Sequence, residues 1–385
     1  MISIPYGRQT ISELDILAVS KSLRSEYLTQ GPLIQKFEEA LCNYLGVQFC
    51  VVVNSGTAAL HTAYFACGLK TGQEIITSPM TFAATGNAAL YLGATVKFSD
   101  IDIKTGNLNP NLISKKISRK SSLIVPIHYA GLPSDLQVFY ALKNAHACSI
   151  VEDACHALGA EYKGKKIGSC QYSDATVFSF HPVKHITTGE GGAIATNDPE
   201  IYRKALLFRS HGITKNSKDF VNSSPGSWYH EMQFLGFNYR LSDFQAALGL
   251  SQLKRLDSFL EKRRRIAAQY NTAFSDNSFF DIQPTNKDVL HAYHLYPIML
   301  KSKYSAQRPR VFEALRNKGL WVQVHYLPVY KHPYYQSIGY KNEHQPLAES
   351  FYQSQISLPM YPTMTKSEVK YVIKTVKETC NDANK

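Results

Sequence analysis

Short β-branched runs that alternate with helical segments constrain the N-terminal half of this chain more than any other feature. The run FCVVV (49–53) ends in the polar turn NSGT (54–57), and helical spacing then continues to Gly68. The further strand-like runs lie at 74–77, 95–98, 122–128, 148–153, 174–180 and 191–197. Because parallel strands need crossover connections, usually helices, this alternation predicts an α/β fold with a mostly parallel sheet covered by helices.

The C-terminal part shows a second, smaller α/β pattern. From Leu241 to about Phe274 the chain keeps helical spacing for longer than an average globular helix. We therefore predict a large domain with N-terminal helices over 1–240, a long connecting helix over 241–275 and a small C-terminal α/β domain over 276–385. In that last part the strand signals are at 294–300 and 321–327, with helices near 307–318, 346–356 and 366–380.

Composition narrows the class of protein. Hydrophobic residues make up 44% of the chain and charged residues 19%, which excludes disorder as the dominant state. The sequence contains no signal peptide pattern and no apolar run long enough for a membrane helix, so a cytoplasmic protein without membrane association is expected. The seven cysteines include no CxxC pair, so neither a disulfide framework nor a metal site is predicted.

The chain is basic, with 42 Lys and Arg against 30 Asp and Glu, a net charge of +12. Such an excess fits nucleic acid, an anionic membrane surface or an acidic small substrate. The densest basic runs, at 115–120 and 262–265, do not alternate with aromatic residues that would stack on bases. We interpret them as solvated helix faces and expect no nucleic acid partner. A basic, non-enzymatic binding or regulatory protein remains the alternative from another functional class.

The segment SFHPVKHITTGEGG (179–192) places Lys184 in a polar loop between two strand-like runs. A lysine that is desolvated in such a loop becomes partly deprotonated and then acts as a nucleophilic amine that forms a Schiff base. An ordinary loop lysine is exposed and inert, so Lys184 alone decides nothing.

Asp153 strengthens that interpretation because it stands at the end of the strand-like run CSIVED. The carboxyl ends of parallel strands face the crevice where α/β proteins bind ligands. A lysine for the imine and an acid for the pyridinium nitrogen are the pair that pyridoxal 5′-phosphate needs. The alternative is that Asp153 caps a helix that begins at ACHALGA.

Three other features fit a cofactor site but have ordinary structural explanations. The NSGT turn lies between a strand and a helix, where free N–H groups favour a phosphate, yet a plain helix cap has the same composition. Phe82 either stacks on a flat ring or packs in the core. His156, three residues after Asp153, either donates to a ring oxygen or is a satisfied histidine.

Five ordered motifs together resemble one known family. They are NSGTAAL (54–60), SPMTFAATGNAALYLGATVKFSDID (78–102), VEDACHALGA (151–160), SFHPVKHITTGEGG (179–192) and GFNYRLSDFQAALGLSQL (236–253). Across nearly the whole chain the sequence is similar to the sugar aminotransferases of the DegT/DnrJ/EryC1/StrS type, a branch of the fold-type I pyridoxal-phosphate enzymes. The resemblance implies a fold-type I aminotransferase, with a large cofactor-binding domain built on a mostly parallel sheet and a smaller C-terminal α/β domain.

The resemblance also implies residue roles. Lys184 would carry the Schiff base, and its identity favours transamination because related dehydratases have histidine at that place. The cofactor-binding residues would be Gly56, Thr57 and Ser179 at the phosphate, Asp153 at the ring nitrogen, Phe82 on the ring face and His156 at the ring hydroxyl, where many members have glutamine. Asn238 would reach the phosphate bound by the neighbouring subunit, which implies a homodimer with shared active sites.

For the substrate, the segments IPYGRQT (4–10), YLTQGP (27–32) and VHYLPVYKHPYY (324–335) look like nucleotide-sugar contacts of the family. The predicted substrate neighbours are Tyr6, Thr29, Gln30, Arg240, His325 and Tyr326, although His325 and Tyr326 also fit an ordinary strand end. The last segment resembles transaminases that aminate the 4-keto carbon of a UDP-2-acetamido-2,6-dideoxy-4-hexulose on the route to pseudaminic acid, with glutamate as donor and 2-oxoglutarate as product. The alternative is the same chemistry on a GDP- or dTDP-linked 3- or 4-keto-6-deoxy sugar.

Overall fold

The computed structural model describes residues 3–383, which form strands of very different length. The strands are β1 (Ile4–Pro5), β2 (Phe49–Val53), β3 (Glu74–Thr77), β4 (Thr95–Phe98), β5 (Ser121–Val125), β6 (Ser149–Asp153), β7 (Glu161–Tyr162), β8 (Lys165–Lys166), β9 (Ala175–Ser179), β10 (Gly192–Thr196), β11 (Ile213–Thr214), β12 (Glu231–Met232), β13 (Phe280–Ile282), β14 (Val289–Leu290), β15 (Tyr296–Leu300), β16 (Leu320–Trp321) and β17 (Gln355–Leu358).

Helices connect these strands. They are α1 (Glu13–Leu23), α2 (Pro32–Leu45), α3 (Gly56–Ala66), α4 (Ala84–Leu90), α5 (Pro110–Ile113), α6 (Leu136–His146), α7 (Pro199–Phe208), α8 (Asp243–Leu253), α9 (Leu256–Phe274), α10 (Arg308–Asn317), α11 (Pro333–Tyr335), α12 (Pro346–Ser354) and α13 (Lys366–Ala383). Local sequence explains several ends. Pro32 begins α2 and Gly46 ends it in the left-handed conformation, and the Asp198 side chain caps α7.

A seven-stranded sheet in the order β2-β10-β9-β6-β5-β3-β4 forms the centre of the molecule. Only β10 runs antiparallel to its neighbours β2 and β9, so the predicted α/β fold with a mostly parallel sheet is confirmed. Both sheet faces are covered. Val51 and Val53 lie in the core beneath α3 and α7, while Val52 lies in the core formed with α2, α8 and the start of α9. Burial on both faces explains why these strands are continuous β-branched runs.

A second sheet, β13-β15-β17, packs against the end of α9 and against α10 and α13. The start of the chain joins this part, because Ile4 of β1 pairs in parallel with Leu320 of β16 and lies in the same core. The domain limits at residues 240 and 275 stay a prediction.

Two elements differ from the sequence expectation. The helix expected over 241–275 is two helices, with a break at Lys254 and Arg255. At this break the Arg255 guanidinium forms an ion pair with Asp15 and donates to the Thr10 carbonyl at 3.2 Å. These contacts pull the chain towards the N-terminal segment, so tertiary structure overrides helical periodicity.

The strand expected over 321–327 shortens to Leu320–Trp321. After β16, side chains and not a neighbouring strand form hydrogen bonds with the backbone N–H and C=O groups of His325. The His325 N–H donates to Gln355 Oε1 at 2.9 Å, and its carbonyl accepts from the Tyr129 hydroxyl at 2.6 Å. The segment therefore continues as irregular backbone at His325 and turns towards Tyr129, which follows β5 of the large sheet.

No helix in the described part of the chain combines the length and the apolar character that a membrane crossing requires. Within residues 3–383 there is also no group of three or more His, Cys, Asp or Glu side chains arranged to hold a metal ion.

Candidate active site

A cavity of about 760 Å³ opens at the carboxyl ends of β2, β6 and β9, and the segment 323–326 closes it from the small sheet. Ligands of open α/β sheets bind at this edge. The structure brings ten of the predicted site residues together in its wall: Tyr6, Gly56, Thr57, Phe82, Asp153, His156, Ser179, Lys184, His325 and Tyr326.

One wall is an anion cradle at the start of α3. The Ser55 hydroxyl caps this helix by accepting from the Ala58 N–H at 3.0 Å. The N–H groups of Gly56 and Thr57 in the first turn have no acceptor within the described residues. A Cβ at Gly56 would lie 2.9 Å from the Ser179 Cβ, so only glycine lets β9 approach this closely. The free N–H groups and the positive end of α3 suit a phosphate, and so do the hydroxyls of Thr57 and Ser179, which also line the cavity.

Asp153 is a fixed carboxylate on the second wall and is only 6% exposed. Its Oδ2 accepts from the Thr85 hydroxyl at 2.7 Å, and its Oδ1 accepts from the Cys155 N–H at 3.1 Å. No helix follows Asp153, so the alternative that it caps one is wrong. Both oxygens are oriented by donors, which suits a carboxylate that must hold a cationic ring nitrogen.

Lys184 lies in the loop between β9 and β10, as the sequence predicts, and lines the cavity. Its ammonium has no hydrogen-bond or ion-pair partner in the part of the chain that is described. Burial lowers the pKa of Lys184, and the negative charge of nearby Asp153 partly opposes this shift. An unpartnered amine with a lowered pKa is a suitable Schiff-base nucleophile.

The third wall is rich in histidine. His156 Nε2 and the Tyr326 hydroxyl lie 3.0 Å apart, and the His294 ring centroid lies 4.3 Å from that of His156. His325 Nδ1 contacts the Ser357 hydroxyl at 2.8 Å. Burial lowers the pKa of His325 to about 3, and Lys184 adds to the shift. These imidazoles are therefore neutral over the physiological pH range.

Phe82 stands at the cavity mouth, with 64% of its surface exposed. Its ring centroid is 6.3 Å from that of Tyr326. The alternative that Phe82 packs in the core is therefore wrong, and its ring is available to stack on a ligand.

Four predicted residues lie elsewhere. Gln30 and Arg240 line a separate cavity of about 300 Å³. Thr29 forms an isolated backbone bridge with Ser242, and Asn238 forms one with Ser210. Their roles towards cofactor or substrate stay predictions.

Sequence reasoning missed several residues of the cavity wall, among them Cys155, His181, Glu190, His294, Gln323 and Val324. Cys155 has a sequence signal, since it lies two residues after Asp153. His294 has none, because it reaches the cavity from the loop before β15, far along the chain.

The residues fit pyridoxal 5′-phosphate. The cofactor needs an anion cradle, an acid for its ring nitrogen, an aromatic face and a free lysine, and the cavity offers each of these from separate elements. The unpartnered N–H groups of α3 and the unpartnered Lys184 amine are the observations that carry this fit.

Comparison with known proteins gives the same family. The model of the DegT/DnrJ/EryC1/StrS aminotransferase family matches residues 9–377. The UDP-4-amino-4,6-dideoxy-N-acetyl-beta-L-altrosamine transaminase of Campylobacter jejuni is 41% identical over 377 residues, covering 97% of this chain and 96% of the relative. Its namesake from Helicobacter pylori is 38% identical over 382 residues, covering 98% of both.

Comparison with solved structures also finds sugar aminotransferases. Helicobacter pylori PseC, described as an aminotransferase involved in the biosynthesis of pseudoaminic acid, superposes with a TM-score of 0.92 at 38% identity, covering 99% of this chain and 100% of PseC. The putative sugar aminotransferase Spr1654 of Streptococcus pneumoniae, solved in PMP and PLP forms, gives 0.91 at 29% identity for the PMP form, covering 99% of this chain and 100% of that one. The fold is that of a fold-type I aminotransferase, and the chain belongs to the DegT/DnrJ/EryC1/StrS aminotransferase family.

Proposed function

We propose that this enzyme is a pyridoxal-phosphate-dependent aminotransferase that moves the amino group of glutamate to the 4-keto carbon of a UDP-2-acetamido-2,6-dideoxy-4-hexulose, in the cytoplasm. The observation that carries the proposal is the unpartnered Lys184 amine in one cavity with the fixed Asp153 carboxylate. The names of the two transaminases described above, from Campylobacter jejuni and Helicobacter pylori, support the choice of sugar.

The bound cofactor would supply an electron sink that stabilises negative charge on the carbon that loses a proton. In the cavity Gly56, Thr57 and Ser179 would hold its phosphate, Asp153 its ring nitrogen and Phe82 its face. His156 would act near the ring hydroxyl. These residues come from the start of α3, the loop after β3, the end of β6 with the turn after it, and the end of β9, all of which the large sheet holds in place.

Lys184 would move the protons. As a free amine, its Nζ would take the α proton of glutamate, and in the second half of the cycle it would deliver a proton to the sugar carbon. The lowered pKa of Lys184 favours this proton uptake, since a neutral amine accepts a proton and a charged one does not. Glutamate and sugar use the site in turn, so parallel initial-rate lines are expected and intersecting lines would contradict the scheme.

The sugar would enter between Tyr6, His325 and Tyr326. The ring centroids of Tyr6 and His325 are 5.5 Å apart, and both side chains line the cavity. Neutral imidazole and phenol groups suit the hydroxyl and amide groups of a sugar. The net charge of +12 suits a dicarboxylate and a diphosphate.

We also propose a homodimer in which Asn238 and Arg240 complete the partner's site, the first at the cofactor phosphate and the second at an anion of the substrate. Thr29 and Gln30 belong to the same surface. Supporting this, large apolar side chains are exposed around α1 and in the segment 221–235: Ile11, Leu14, Ile16, Leu17, Leu23, Val221, Trp228, Met232 and Leu235. Large apolar side chains that are exposed in neighbouring parts of the sequence are typical of an interface.

The test of the function is isotope transfer. Purified enzyme is incubated with glutamate labelled in its amino nitrogen and with the UDP-linked 4-keto sugar, and the sugar product is analysed by mass spectrometry. The label should appear in an amino sugar, and Lys184→Ala should transfer none. Transfer only to a GDP- or dTDP-linked keto sugar would show that the proposed sugar is wrong and the proposed reaction is right. Transfer to no sugar would overturn the proposal.

A further inference from the structure

His294 is a buried residue of the cavity wall to which sequence reasoning gives no role. It precedes β15 and is 5% exposed. Its ring lies 4.3 Å from that of His156 and 5.6 Å from that of His185, and its carbonyl accepts from Arg263 Nη1 at 3.2 Å. These contacts fix the position of the ring at the cavity.

Neither ring nitrogen of His294 has a hydrogen-bond partner among residues 3–383. A buried polar group without a partner costs stability, so such groups are rare and call for an explanation. Packing alone would be served better by phenylalanine, which buries a ring of similar shape and no polar atom. Nδ1 is sealed from the cavity, so the unpartnered Nε2 is the atom that points to a ligand there.

The protonation state follows from the surroundings. Burial lowers the pKa of His294, and the groups that face it, His156, His185, Lys184 and Arg263, are neutral or positive. The imidazole is neutral and carries one proton. His294 Nδ1 is fully sealed, and an orphaned N–H costs more than an orphaned lone pair. The proton therefore belongs on Nε2, the ring nitrogen that is not sealed, which makes Nε2–H a donor to the cavity.

We infer that His294 is a further ligand-binding residue of the site, whose Nε2–H donates to an acceptor oxygen of the group bound beside Lys184. This inference rests on the proposed function, under which that acceptor is the ring oxygen of the cofactor next to the carbon that bonds Lys184. The His294 ring lies against that of His156, and both residues line the same cavity as Lys184, which is where that oxygen would be bound. The cofactor phosphate would be bound elsewhere in the cavity, at the start of α3 and the end of β9.

Two variants separate binding from packing. His294→Phe keeps the ring and removes the donor, whereas His294→Gln keeps a donor and changes the packing. His61→Phe is the matched control, because His61 is also buried with an unpartnered ring nitrogen but does not line the cavity. All are compared with wild type as full-length protein. The measurements are the dissociation constant of pyridoxal phosphate and the pH midpoint of the bound cofactor's absorbance change.

His294→Phe should weaken cofactor binding about tenfold, as the loss of one hydrogen bond to a charged oxygen implies. It should also raise the pH midpoint by about one unit, because a donor on the ring oxygen lowers the basicity of the conjugated nitrogen attached to Lys184. Without cofactor, His294→Phe should melt no lower than wild type. His294→Gln should stay near wild type in affinity and midpoint, and His61→Phe should change neither.

Two results would overturn the inference. If His294→Phe keeps the wild-type affinity and midpoint, the ring only packs. If His294→Gln loses affinity as much as His294→Phe, the ring shape and not the donor matters. Failure of the proposed function is distinguishable, since wild-type protein would then give no cofactor absorbance in the first place.

Discussion

Replacing Gly56 by alanine tests the anion cradle at its tightest point. The added Cβ would lie 2.9 Å from the Ser179 Cβ and 3.1 Å from its Oγ, whereas ordinary carbon contacts are about 3.5–4.0 Å. The start of α3 and the end of β9 must therefore move apart. Overpacking of this kind costs about 1–3 kcal/mol. It also shifts the N–H groups of Gly56 and Thr57, so the affinity for pyridoxal phosphate should fall at least tenfold.

The assay compares Gly56→Ala with a glycine variant of similar stability cost outside the site. Gly46 ends α2 at φ +69° with open space around its Cβ position, so Gly46→Ala costs about 1 kcal/mol through backbone conformation alone. Both variants should melt below wild type, but only Gly56→Ala should lose cofactor affinity. Adding Ser179→Gly should restore the melting temperature and not the affinity, because the Ser179 hydroxyl is lost. Wild-type affinity in Gly56→Ala would refute the reasoning.

Further predictions concern Phe82, Glu38 and Lys184. Phe82→Ala should leave the melting temperature of the cofactor-free protein nearly unchanged and weaken cofactor binding several-fold, since Phe82 is exposed, while Tyr334→Ala, an exposed aromatic outside the cavity, should affect neither. Glu38→Gln should destabilise the protein by roughly 2–4 kcal/mol in thermal unfolding, because Arg209 loses its buried charge partner. Because burial lowers the pKa of Lys184, amine labelling of the cofactor-free protein, followed by mass spectrometry, should modify Lys184 with a pH midpoint below that of exposed lysines. A midpoint at or above theirs would contradict the burial argument.

The large sheet and the residues on its edge follow from local sequence. Runs such as FCVVV are buried on both faces, and β-branched residues between turn signals mark such strands directly. Asp153 ends one of these strands and Lys184 follows another, so their place at the cavity follows once the sheet is predicted.

The other features of the fold and of the site depend on contacts between segments that are distant in the sequence. The break between α8 and α9 arises from the contact of Arg255 with Asp15, which helical periodicity does not encode. The segment around His325 leaves its strand because Gln355 and Tyr129 satisfy its backbone. His294 likewise reaches the cavity only through the packing of the small sheet against the large one.

The central claim is that Lys184 holds pyridoxal phosphate and that the bound cofactor carries an amino group between two substrates. The most direct measurement is the absorbance spectrum of the purified protein before glutamate, after glutamate and after the UDP-linked 4-keto sugar, with Lys184→Ala in parallel. A band at roughly 400–430 nm should move to roughly 325–330 nm with glutamate and return with the sugar. The variant should show no such cycle. If wild type loaded with pyridoxal phosphate gives no such band, or if Lys184→Ala cycles like wild type, the account is contradicted.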